Sequence, residues 1–78
     1  MDNEIEEKKS RILELISTIL EIKLDNFDKC SQDFLPSWDS LNHAQIIFAI
    51  EDEFEIEFSQ EQMANIKSAQ DILNIVSS

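Results

Sequence analysis

Glycine is missing altogether from the 78 residues, and proline and cysteine occur once each, as Pro36 and Cys30. Without glycine, a turn that needs positive φ must lean on Asn or Asp, and Asp25, Asn26 and Asn65 are the expected places. A single proline leaves long stretches free to be helical and favours helices joined by polar turns. One cysteine excludes an internal disulfide and every zinc-ligand spacing, so Cys30 is expected as a buried or semi-buried free thiol in a reducing cytoplasm. The N-terminus shows no basic-then-apolar signal, and no apolar run reaches membrane-spanning length, so membrane insertion is not expected. Bases are scarce as well: six against seventeen acids, a formal charge of −11. Nucleic acid and anionic membranes share that sign and are poor partners, whereas proteins with basic patches are good ones.

What is present is enough apolar material to fold, 42% of the residues. The length corresponds to one small domain over 1–78, a compact bundle with no room for an enclosed active site. Asn3, followed by Glu4, Glu6 and Glu7, reads as a helix start, and Ile5, Ile12, Ile16 and Ile19, widened by Leu13 and Leu20, form one apolar stripe. The first helix is expected from Glu4 to Ile22. From Lys23 to Ser37 the periodicity fades into turn formers ending at Pro36, a long connection expected to tuck Phe27, Phe34 and Leu35 inward. A second helix is expected from Ser40 to Glu55. Its Ile46, Ile47, Ile50 and Phe54 fall in one quadrant and make a core stripe. Ser59 and Gln62 fit a capping box for a short third helix to Asn65, with Met63 and Ile66 toward the core. Ser68 and Asp71 repeat the start signal for a last helix carrying Ile72, Leu73, Ile75 and Val76. The fold class read from this order is all-α: a small four-helix bundle of three longer helices and a short third one, with a long loop between the first two.

Two features of the second helix go beyond packing. Asp39 can cap its start, since a carboxylate accepts from backbone N–H groups left unpaired in the first turn. Ser40 then sits at the positive end of the helix dipole, a good place to carry an anion. Leu41, Ala44 and Phe48 form a second apolar set nearly opposite the core stripe, amid Glu51, Asp52 and Glu55. A helix needs only one buried face, so this set is a candidate docking surface; the plainer alternative is that the loop or a neighbouring helix covers Phe48.

Asp39-Ser40-Leu41, the acidic helix with Ile46, Ile47, Ile50 and Phe54, and the tail Ile66-Lys67-Ser68-Ala69-Gln70-Asp71-Ile72 together resemble the acyl carrier protein family over nearly the whole chain. The resemblance implies a carrier and not an enzyme. The serine matching Ser40 would receive a covalent 4'-phosphopantetheine arm, with fatty acyl, aminoacyl or polyketide cargo held as a thioester on its thiol. It also implies Asp39 as helix cap and recognition residue, with His43 near the arm. Leu41, Ala44 and Phe48 become apolar anchors, and Glu51, Asp52 and Glu55 steer basic partners. Those partners would be a phosphopantetheinyl transferase and the enzymes that load and transfer acyl groups, with the carrier a monomer. Ser37 and Trp38 stand where many fatty-acid carriers have a glycine and a small residue, and Trp-Asp-Ser-Leu resembles carriers of specialised pathways. Gln45 likewise places an amide where acidic carriers often have a carboxylate.

Three rivals compete with this reading. A Ser-His-Asp hydrolase built from Asp39, Ser40 and His43 lacks nucleophile-elbow glycines and evident oxyanion donors. Metal binding by the Glu51–Glu57 acids lacks a calcium-loop spacing and its turn glycine. An unmodified acidic module that docks basic partners through Leu41 and Phe48 explains the exposed apolar set but has no need of a serine at the helix start. Trp38 is expected to pack beneath the loop, and a structural, partly buried His43 is a reading as good as an arm contact.

Overall fold

A computed structural model of the chain describes residues 2–77, with the side chains of residues 2 and 3 outside the description. It contains α1 (Asp2–Leu20), a one-turn 3-10 helix (Phe27–Lys29), α2 (Ser40–Phe54), α3 (Gln60–Asn65) and α4 (Ala69–Val76). Among the described residues the only extended pairing is an isolated antiparallel bridge between Ser31 and Ser68. The all-helical bundle with a short third helix and a long first connection is therefore the architecture observed. The last helix runs from its Ser68 cap through Val76, the span of its start signal and apolar residues. α1 begins before Glu4 and stops two residues short of Ile22; the cap expected of Asn3 falls on a side chain outside the description.

Helix ends show where the missing glycine matters. After α1, Glu21 takes φ 57°, its N–H donating to Thr18 O and that of Ile22 to Ser17 O. After α2, Glu55 takes φ 54°, with Ile56 N–H donating to Glu51 O. These are six-to-one closures around a left-handed residue, which glycine normally fills. The expectation that Asp25, Asn26 or Asn65 would supply positive φ is thus corrected: two glutamates do. Ile56 after the second turn packs against the core whereas Ile22 after the first stays exposed, and in both turns closing the orphan carbonyls of a long helix outweighs the left-handed penalty. Asn26 instead caps the 3-10 turn, its Oδ1 accepting from Asp28 N–H. The Ser59–Gln62 capping box of α3 is complete in both directions.

The core is contributed mainly by isoleucines at helical spacing. α1 buries Ile12, Ile16 and Leu20; α2 buries Ile46, Ile47 and Ile50; the C-terminal segment buries Ile66, Ala69, Ile72 and Leu73. α1 packs on both α2 and α4. Phe54, expected in the stripe, is half-buried at its edge, and Ile5 is exposed. Loop residues complete the core: Cys30, Trp38 and Phe58 are all buried.

The long connection is held by backbone bonds to the α3–α4 junction, from Gln32 N–H to Lys67 O and from Ala69 N–H to Cys30 O. Lys9 reaches over the Phe27 ring at 5.5 Å and ties the same loop to α1. Phe27 and Leu35 pack against the core as expected, but Phe34 is 60% exposed. A tight turn, in which Phe34 and Leu35 N–H groups both donate to Ser31 O, brings Leu35 inward and leaves Phe34 outside.

Candidate functional site

α2 begins at Ser40 because the two residues before and after it are pinned. Asp39 is extended (φ −98°, ψ −174°), and its Oδ1 accepts from Asn42 N–H at 3.0 Å. Asn42 Nδ2 donates back to Ser37 O at 2.7 Å, closing the turn from the other side. Ser40 itself is exposed, and its hydroxyl makes no hydrogen bond among the described residues. The hydroxyl is therefore free at a rigidly capped helix start.

Beneath it lies an arrangement that no helical spacing announces. Trp38, 3% exposed, donates its indole N–H to His43 Nδ1 at 2.9 Å, and the two rings stack with centroids 6.2 Å apart. His43 Nε2 lies 2.9 Å from Met63 O. A carbonyl only accepts and an indole N–H only donates, so the imidazole carries its proton on Nε2. The chain Trp38–His43–Met63 links the loop, the first turn of α2 and the end of α3, with Ser40 between its first two members in sequence. Both ring nitrogens of His43 are engaged, so it presents neither a base to Ser40 nor a free nitrogen to an attached group. Asp39 is likewise occupied as a cap, which leaves no Ser-His-Asp relay here.

An open groove of about 440 Å³ includes Ser40 in its wall, together with Trp38, Asp39, His43, Met63, Gln32 and Lys67. A larger open groove of about 620 Å³ between α1 and α2 is lined by Glu4, Glu7, Lys8, Arg11, Glu14 and Glu53. Arg11 there already pairs with Glu14 at 2.7 Å and Glu53 at 3.2 Å, and Ser40 is not among its walls. Its charges cross-link helices, and Ser40 lines only the smaller of the two grooves.

On the outer face of α2, Leu41 is 71% and Phe48 63% exposed, so neither loop nor helix covers Phe48. Ala44, Asp52 and Glu55 are exposed along the same stripe. Glu51 differs: it is half-buried, and its Oε2 accepts from Phe58 N–H at 2.8 Å, holding the α2–α3 link. Among the described residues no helix is long and apolar enough to cross a membrane. No three His, Cys, Asp or Glu residues among them converge as metal ligands.

Comparison with known proteins gives the chain a family. The family model described as "phosphopantetheine attachment site" matches residues 10–76. An acyl carrier protein of Buchnera aphidicola subsp. Baizongia pistaciae (strain Bp) is 33% identical over 72 residues, covering 92% of this chain and 90% of the relative.

Proposed function

The chain belongs to the phosphopantetheine attachment-site family of acyl carrier proteins, and from that premise we propose that Ser40 is the residue that bears the 4'-phosphopantetheine arm. Proteins of this kind are carriers and not enzymes, and the cofactor is attached covalently. One observation carries the assignment: the Ser40 hydroxyl is exposed, unbonded and fixed at the start of α2, beside a groove. Asp39 and Asn42 hold that start in place, and Trp38 with His43 supports it from below. The residues present fit the group, since an attached phosphate at this point meets the positive end of the α2 dipole.

In the transfer, Ser40 Oγ forms a bond to phosphorus as the pyrophosphate of coenzyme A breaks. Adenosine bisphosphate leaves, and the hydroxyl proton passes to a base of the transferase. The arm, once present, supplies a thiol that holds fatty acyl, aminoacyl or polyketide cargo as a thioester. The chain contributes an address: Leu41, Ala44 and Phe48 as apolar anchors, with Asp52 and Glu55 steering basic partners in the cytoplasm. Glu51 contributes indirectly, by fixing the link that follows the helix. Trp38 before Asp-Ser-Leu supports a specialised pathway over bulk fatty-acid synthesis.

Incubation with coenzyme A and a phosphopantetheinyl transferase should add one phosphopantetheine mass to the wild-type chain and none to Ser40→Ala. Equal modification of both would move the site elsewhere. No modification of either, with salt-sensitive binding of a basic partner lost on Phe48→Ala, would establish the unmodified docking module instead.

A further inference from the structure

Lys67 stands out because it lines the groove that holds Ser40. The chain has seventeen acids and six bases, yet the Lys67 ammonium pairs with no carboxylate among the described residues. Of the other five bases, Lys8 is committed to Val76 O, Lys9 to Glu6 and Phe27, and Arg11 to Glu14 and Glu53, while Lys23 and Lys29, also without an ion pair among the described residues, do not line this groove. Lys67 is the one basic residue among the groove walls, and Asp39 the one acid. Its backbone is fixed from both sides, the N–H donating to Asp71 Oδ2 at 3.0 Å and the carbonyl accepting from Gln32 N–H at 2.9 Å. The Lys67 backbone is thus fixed at the wall of the groove that Ser40 also lines, and its side chain is free to swing.

We propose that Lys67 is the counter-ion of the phosphodiester on Ser40 and holds the near end of the arm in the groove between loop, α2 and α3. This rests on the attachment assignment above. A phosphodiester on Ser40 adds a permanent negative charge next to the Asp39 carboxylate in a chain that is already strongly anionic. One mobile cation in the same groove offsets that repulsion, and Gln32 beside it offers an amide for the polar part of the arm. The contact is an exposed one, strong enough to bias where the arm rests and weak enough for a partner enzyme to displace it.

The test uses the modified full chain, with loading checked first by intact mass, and reads the phosphorus NMR shift of the phosphodiester across a salt titration. The wild-type signal should move with salt as the ion pair is screened. Lys67→Gln should start near the high-salt position and lose that dependence, with the docked fraction of the arm falling about three-fold, the size expected of an exposed pair. Lys67→Arg should restore the wild-type titration, while backbone shifts of α3 and α4 stay unchanged in both variants. A phosphorus signal and salt response identical in wild type and Lys67→Gln would overturn the role of Lys67 and leave the carrier assignment intact. Failure of the wild-type chain to gain mass would sink both.

Discussion

Ser40 is presented by its neighbours more than by itself. The Trp38 indole N–H and the Met63 carbonyl both depend on one imidazole, so removing it leaves a buried donor and an acceptor unmet. His43→Ala should destabilise the fold by about 2 kcal/mol, read by urea unfolding with the fluorescence of Trp38, the chain's single tryptophan. His43→Gln keeps an acceptor and a donor at similar reach and should recover at least half of the loss; no recovery would mean that ring packing, not the two hydrogen bonds, matters. Cys30 makes a second statement at this scale. Burial pushes its thiol up from 9.0 to about 11. The folded chain then holds a proton that the unfolded chain releases, so its contribution is complete below pH 9.0 and lost as pH rises toward about 11. Stability should decline across that alkaline window, and Cys30→Ala should flatten the decline. The native thiol should also resist alkylation at neutral pH.

Helices in this chain begin well and end under strain. Each of α2, α3 and α4 opens on an Asp or Ser side chain that accepts a backbone N–H. α1 and α2, by contrast, close on left-handed glutamates, with no basic residue in either last turn. Glu21→Gly should raise stability by about 0.5–1 kcal/mol, measured as a shift in the urea midpoint. Glu55→Gly should do the same, since a carboxylate at a helix C-terminus also opposes the dipole. If Glu55 steers partners, that second variant should gain stability and lose transferase affinity together. Glu21→Gly should leave affinity alone, and equal affinity in both would remove Glu55 from the docking surface.

The molecule as a whole stays compact despite a charge of −11. Its radius of gyration is 11.4 Å, close to the roughly 11.5 Å expected of a folded chain this long. Apolar burial by three helices and the pinned loop therefore outweighs self-repulsion, and part of that repulsion should be recoverable. Moderate salt should raise the melting temperature while slowing association with basic partners, because screening relieves the first effect and weakens the second. A melting temperature that falls with salt would mean that the Arg11 pairs with Glu14 and Glu53 contribute more than the surplus acids cost.

Much of this protein is legible along the chain, because its organising signals are local. Isoleucines three and four residues apart, Asp or Ser before each later helix, and a serine placed one step after a capping acid all act within a turn of helix. The family likeness of Asp39-Ser40-Leu41 could be read the same way. What the linear chain left open depended on segments meeting. Phe34 turned outward because two amides chose the Ser31 carbonyl. Glu51 became a strut because Phe58 N–H came within its reach. The Trp38–His43–Met63 chain and the Lys67 groove exist only because the loop and the α3–α4 junction pack against the start of α2. Hydrogen-bond pairing between distant segments has no period in sequence, so tertiary packing alone decided it.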